Sequence, residues 1–137
     1  MISRAGPDDI EAIEQMDRVC FPFDKQYMFA WEKNATWIAE EGVECVAYLS
    51  AHPLRNGVWF FSRVGVMPSH RGQGLQRKLM TAMERHGRKW GWREIVTYCV
   101  GRNGHSIANI LEAGYQTYAP RRSYVGFEVV HLRKYLR

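Results

Sequence analysis

Behind Gly6-Pro7-Asp8-Asp9, the apolar residues Ile10, Ile13, Met16 and Val19 recur about one helical turn apart, which predicts a helix with a single apolar stripe. Proline suits its first position, and the aspartates suit the positive end of its dipole. The preceding segment "ISR" is short, and the following "FPFDKQYMFAWEK" mixes loop and helix character with poor periodicity. From Thr36 the pattern turns to strands: "TWIAE", a turn at Glu41-Gly42, "CVAYLSA", a loop around Pro53 to Gly57, then "VWFFSRVGV", together an antiparallel meander. Leu75, Leu79, Met83, His86 and Trp90 return to helical spacing, and Gly91 is placed to close that helix. A strand "EIVTYCV", a helix from Asn103 to Glu112 ended by Gly114, and two strands in "YQTYAP" and "YVGFEVVHLRK" complete the chain.

This order predicts an α+β or mixed α/β fold: one layered sheet in a single domain spanning residues 1–137. A topological switch is expected where "VWFFSRVGV" and "EIVTYCV" become parallel neighbours through the helix between them, and ligands bind at such points. With 46% hydrophobic residues the chain can bury an ordinary core, and no repeat or low-complexity segment interrupts it. No apolar run approaches membrane-spanning length, and the first residues lack the apolar stretch of a signal peptide, so a cytoplasmic location without a membrane is expected. Cys20, Cys45 and Cys99 are widely spaced and read as buried reduced thiols. His52, His70, His86, His105 and His131 are dispersed without HExxH spacing, so metal-free chemistry is expected.

The formal charge of +5 favours an anionic partner. Phosphates of a nucleic acid and of a small cofactor make the same demand, so position has to decide between them. The stretch "MPSHRGQGLQRKLM" offers one such position. Gly72 and Gly74 let the backbone turn tightly and expose N–H groups just ahead of the helix beginning at Leu75, and Arg71, Arg77 and Lys78 add positive charge. A plain helix-capping turn would use the same glycines. A Rossmann fingerprint would need Gly or Ala at Arg77, and a P-loop would need Lys-Ser or Lys-Thr after the last glycine.

The remaining pattern, strand "SRVGV", then "MPSH", then "RGQGLQ" leading into a helix, resembles the pyrophosphate-binding motif of the GNAT superfamily of acyl-CoA N-acyltransferases. The resemblance runs from about Thr36 onward and includes the strand order; "GLQRKLM" followed by "NGHSIANILEAGYQTYAP" is similar to a bacterial and phage-type subgroup. The family pattern maps to Arg71, Gly74 and Gln76, with glutamine standing where Gly or Ala is usual. The resemblance implies a central mixed sheet, mainly antiparallel with a parallel splayed pair and flanked by helices. It implies acetyl-CoA (coenzyme A) as cosubstrate, held at Arg71, Gly72, Gln73, Gly74, Leu75 and Gln76. The main chain of Val64 and Val66 would pair with the pantetheine amides, beside Gly65, which fits a bulge or a close approach. Asn103 and Ser106 match the family's N-x-x-A/S at the start of the next helix, where polar atoms face the pantetheine arm; helix capping is the competing reading.

The implied reaction is transfer of an acetyl group to a primary amine of a small molecule or a protein or peptide, by direct attack on the thioester. Ile110 stands where the family often carries a proton-donating tyrosine, leaving Tyr115, Tyr118 and Tyr124 as nearby candidates, each equally readable as a packed aromatic. Phe60 stands where some relatives place a glutamate, and Tyr98 where protein N-terminal acetyltransferases place one. Tyr98 and Tyr118 are accordingly the expected proton-handling residues, Tyr98 through water because a phenol near pKa 10 is a poor unaided base. Phe21, Phe23, Tyr27, Phe29 and Trp31 fall on the acceptor side of the family fold or pack into the core. Two alternatives accompany this reading: an acyl-CoA-binding domain without turnover, and a basic nucleic-acid-binding module with "HLRKYLR" at its end. A monomer or a homodimer is expected.

Overall fold

The computed structural model describes residues 1–24, 34–101, 103–122 and 125–136. In chain order these form β1 (Ile2–Arg4), a 3-10 turn (Pro7–Asp9), α1 (Ile10–Cys20), β2 (Ala35–Glu41), β3 (Glu44–Arg55), β4 (Val58–Val66), a second 3-10 turn (Pro68–His70), α2 (Leu75–Lys89), β5 (Glu94–Cys99), α3 (Gly104–Glu112), β6 (Gln116–Thr117) and β7 (Val130–Tyr135). One seven-stranded sheet runs in the order β1-β2-β3-β4-β5-β7-β6. Only β4 and β5 are parallel, as the switch-point reading requires. No helix among the described residues is long and apolar enough to cross a membrane.

The two faces of the sheet carry different layers. Leu79, Met80 and Met83 of α2 and Ile110 of α3 bury one face against Trp37, Leu49, Phe61, Ile95 and Leu132. Ile13 and Met16 of α1 cover part of the other against Ile38 and Tyr48. In β4 the register slips between Ser50 opposite Arg63 and Ala51 opposite Phe61, leaving Ser62 as an extra residue. That bulge resets the alternation, so Trp59, Phe61, Val64 and Val66 all pack toward α2 and α3 while Phe60 faces the other way.

The predicted stripe of α1 is rotated. Val19 is 49% exposed, whereas Asp17 is 5% exposed. The cause is a buried polar cluster: the Tyr48 hydroxyl donates to Asp17, and Arg63 Nη1 donates to the same carboxylate at 3.0 Å. Arg63 also reaches Asp24 at 3.1 Å, with its guanidinium 4.3 Å over the Phe21 ring. Burial and the Asp17 carboxylate push the Tyr48 phenol far above its ordinary range. Gly65 is part of this cluster. A Cβ there would lie 2.4 Å from the Tyr48 ring, so its role is a close approach, and the bulge falls at Ser62 instead.

Other boundaries shift for physical reasons. β3 continues through Pro53 to Arg55 as an irregular ladder against β4, where a loop is predicted. The last two strands are Gln116–Thr117 and Val130–Tyr135, the parts of those segments that form ladders in the sheet among the described residues. Trp90 is 66% exposed at the end of α2, outside the buried stripe it extends in sequence. His86 instead wedges edge-on between Trp37 and Trp92, at 5.4 and 5.5 Å between ring centroids.

Two measurements check this packing. Gly65→Ala overpacks the Tyr48 ring and should cost about 2 kcal/mol, roughly 5–10 °C in Tm; a variant as stable as the parent would remove the close approach as the reason for glycine. Burial, then the Arg4 and Lys89 charges, lower the His86 pKa. Its stabilising contribution is therefore present above the unfolded value of about 6.5 and declines as pH falls below it. The loss of Tm between pH 7.5 and 5.5 should be smaller in His86→Gln than in the parent.

Candidate active site

β4 and β5 pair only from Val58–Glu94 to Phe60–Val96. Beyond that point the strands part, and the Thr97 hydroxyl donates across the start of the gap to the Phe61 carbonyl at 2.8 Å. Each strand then leads to a helix N-terminus, β4 to α2 and β5 to α3. The crevice beyond the carboxyl ends of two parallel strands at a switch point is where such folds hold ligands.

The glycine turn sits at the β4 end of this crevice. Gly72 and Gly74 have φ of +82° and +75°, the left-handed region that a side chain disfavours, and a Cβ on either would meet nothing within 4 Å. Gly74 is the N-cap of α2, and no side chain caps the helix. The first-turn amides of α2 thus lack a side-chain acceptor and border open space, a cradle that fits a pyrophosphate. Gln76 does not cover it: its Nε2 turns along the helix to the Met80 sulfur at 3.9 Å. Arg71, Gln73, Arg77 and Lys78 are exposed around the turn, and Leu75 is half-buried beneath it. Arg71 Nε donates to the Val66 carbonyl at 3.1 Å, so that one acceptor at the end of β4 is already engaged. Val64 and Val66 line up on the free stretch of β4 with their side chains packed toward α2.

At the β5 end, Asn103 Oδ1 accepts the Ser106 amide at 3.3 Å and caps α3. The capping reading is therefore realised for Asn103. Ser106 is half-buried, with its hydroxyl 3.9 Å from the Cys99 thiol at the tip of β5. Burial raises the Cys99 pKa, and Cys20 and Cys45, half-buried, are raised by burial as well. All three are free thiols. Among the described residues no cluster of His, Cys, Asp or Glu is arranged to hold a metal ion.

Tyr98 points to the sheet face opposite α2. It stacks on Phe60 with centroids 5.6 Å apart and stands edge-on to His131, its cross-strand partner on β7, at 6.4 Å. Tyr118 lies on the far side of the same imidazole, at 5.9 Å. The two tyrosines chosen from sequence thus reach one cluster, joined by a histidine that sequence reasoning missed. Nothing local marks His131; only the β5–β7 register places it there. A hollow of about 730 Å³ opens beside it, walled by Tyr118, Pro120, Phe127 and His131. His52, half-buried with its pKa lowered by burial, extends the aromatic row on the other side of Phe60.

The other candidates separate. Tyr115 is buried in the α2 side of the core, and burial and then Glu84 raise its phenol well above the ordinary value. Ile110 is likewise core. Phe21 packs beneath Arg63, whereas Phe23 is 99% exposed. Tyr27, Phe29, Trp31 and Tyr124 lie outside the described residues.

The fold is shared with known enzymes. The ribosomal-protein-S18-alanine N-acetyltransferase from Escherichia coli superposes with a TM-score of 0.85 at 17% identity, covering 99% of this chain and 93% of that one. A Bacillus subtilis acetyltransferase in complex with CoA gives 0.79 at 15% identity, covering 99% and 98%. The PaiA N-acetyltransferase from Thermoplasma acidophilum, in complex with coenzyme A, gives 0.79 at 11% identity, covering 98% of each. No protein of curated function matches the sequence. The Acetyltransferase (GNAT) family model matches residues 9–115, which include both helix N-termini of the crevice and the whole parallel pair. Acetyl-CoA is the cosubstrate used in this family. With that match across most of its length and the family's splayed mixed sheet, the chain belongs to the GNAT acetyltransferase family.

Proposed function

We propose that this protein transfers an acetyl group from acetyl-CoA to a primary amine. The observation that carries the reading is the parting of β4 and β5 beyond Phe60–Val96, with the open amide cradle of α2 at the crevice and the Tyr98–His131–Tyr118 cluster on the sheet face beside it. The bound thioester supplies an acyl carbon at which the amine C–N bond forms as the C–S bond breaks. The first-turn amides of α2, with Arg77 and Lys78, neutralise a pyrophosphate. The stretch of β4 beyond Phe60 has no β5 partner, so the main chain at Val64 and Val66 borders the gap where an extended pantetheine amide chain would lie. Asn103 and Ser106 contribute polar atoms at the opposite wall while Asn103 caps its helix.

Two protons have to move: one leaves the attacking nitrogen, and one reaches the departing sulfur. Tyr98 takes the first through water, and Tyr118 delivers the second. His131 lies between their rings, and an imidazole offers both a hydrogen-bond donor and an acceptor there. Phe60 and Ile110 supply no ionisable group, so positioning carries a large share of the rate. Binding of acetyl-CoA without thiol release from any amine would identify instead a domain that binds the thioester without turning it over.

The cofactor seat is best tested at Gln76. Substitution at Gly74 would mix lost binding with the strain of a side chain at φ +75°. A glutamate at Gln76 favours the helix dipole at its N-terminus and so spares the fold, but it repels phosphate. Gln76→Glu should weaken acetyl-CoA binding about tenfold or more by calorimetry with Tm held within a few degrees, since charge-assisted contacts are worth roughly 1.5–3 kcal/mol. Parental affinity would move the pyrophosphate elsewhere.

The proton route predicts that Tyr98→Phe or Tyr118→Phe lowers turnover on a confirmed amine about a hundredfold while cofactor affinity holds. If both variants keep the parental rate across the pH range, the protons travel through bound water alone.

A further inference from the structure

Beside the hollow next to His131 lies a second one, of about 430 Å³, that shares Tyr118, Ala119 and Pro120 with it. Its wall carries Arg55, Arg121, Arg122 and Arg133, with Glu94 as the only carboxylate among the described residues that line it. The four arginines come from three places in the chain: the end of β3, the segment after β6, and β7. Among the described residues no carboxylate forms an ion pair with any of them, Glu94 included. Arg133 is held flat, its guanidinium 4.6 Å over the Tyr118 ring and 5.0 Å over the Tyr135 ring. Its Nε is shut off from solvent and has no hydrogen-bond partner.

Four guanidinium groups drawn to one recess that holds a single carboxylate, with no ion pair to it, repel one another, and an anion relieves that repulsion. Arginine forks suit a carboxylate or a phosphate in particular. Position ties the recess to the chemistry. Arg133 is opposite Val96 and His131 is opposite Tyr98 in the β5–β7 ladder, so both project from the same face two residues apart, about 6.6 Å along the strand. Tyr118 borders both hollows.

Building on the acetyl-transfer reading above, the geometry points to an anionic acceptor: a small amine bearing a carboxylate or phosphate a few bonds from its nitrogen. The anion sits among Arg55, Arg121, Arg122 and Arg133, and the amine extends past Tyr118 toward His131 and Tyr98. The arginines bind and position; the proton-handling groups remain those of the neighbouring hollow. A neutral or cationic amine of the same length gains nothing from the recess and, if cationic at its far end, is repelled by it.

Matched substrates test this. With acetyl-CoA as donor, kcat/KM for 4-aminobutyrate should exceed that for butylamine about tenfold or more, the effect of one charge-assisted contact. Phosphoethanolamine against ethanolamine asks the same of a phosphate and tells which anion the recess prefers. In Arg121→Gln/Arg122→Gln, two exposed positions, the ratio should fall toward one while acetyl-CoA affinity is unchanged; Arg133→Gln serves as the second variant. Equal rates on charged and neutral amines, or a ratio indifferent to both variants, would overturn the anionic acceptor and leave acetyl transfer standing. If no amine is acetylated, calorimetry of 4-aminobutyrate and phosphoethanolamine on the coenzyme A-saturated protein decides. Heat lost in the variants keeps the anion recess and removes the transferase reading, and absence of heat overturns the recess as well.

Discussion

Everything in this molecule turns on where β4 stops pairing with β5. Three residue pairs from Val58–Glu94 to Phe60–Val96 hold the strands together, and the Thr97 hydroxyl on the Phe61 carbonyl closes the last rung with a side chain instead of an amide. Past that bond the strands need separate partners. β4 remains paired to β3 on one side, and β5 remains paired to β7 on the other. The gap opens without unpairing either strand from the rest of the sheet, and the Ser62 bulge turns β4 just as it opens. Because the two strands lead directly into α2 and α3, the same parting that makes the crevice also points two helix N-termini at it.

On the α1 side of the sheet the Tyr48–Asp17–Arg63 cluster ties the helix to the strands that border the crevice. Asp17 is an ionisable residue in a buried place, which is costly unless it is paired and hydrogen-bonded. It accepts from Tyr48 on β3 and from Arg63 on β4, so α1 is fastened to both strands beside the bulge. Gly65 is the concession that lets the Tyr48 ring reach its place. A buried polar cluster of this kind is directional in a way that apolar packing is not, and it fixes how α1 lies on the sheet.

Much of this was legible in the sequence, and the boundary between legible and illegible is physical. The α2 turn could be read because its determinants are consecutive: two glycines, cationic neighbours and a clear helical period behind them. The parallel pair could be read because a helix between two apolar runs leaves few other connections. The rotated face of α1 could not, since Val19 fits the period as well as any residue, and what turns the helix is a partner for Asp17 that lies 31 residues away on β3. The extent of the last strands was hidden because "YVGFEVVHLRK" is β-prone throughout, while only its second half finds the edge of β5. The sheet face around Tyr98 divides in the same way. Tyr98 and Tyr118 follow from what stands in neighbouring positions, but His131 enters only through register, a property of two strands that neither sequence carries alone.

The net positive charge, which by itself says little about partners, takes on meaning once it is located. Arg71, Arg77 and Lys78 gather at the carboxyl end of β4, whereas Arg55, Arg121, Arg122 and Arg133 gather near the amino end of β5. These are opposite ends of the parallel pair. A nucleic-acid surface needs cations along a continuous track, so that successive phosphates are met in turn. Two separate recesses, one at an open helix N-terminus and the other beside the Tyr98–His131–Tyr118 cluster, suit two separate anionic groups held at opposite ends of the parallel pair. On the proposed acetyl-transfer reading, distance keeps the repulsion between the two anionic groups small, each is met by its own cations, and the crevice between β4 and β5 is left for their uncharged ends.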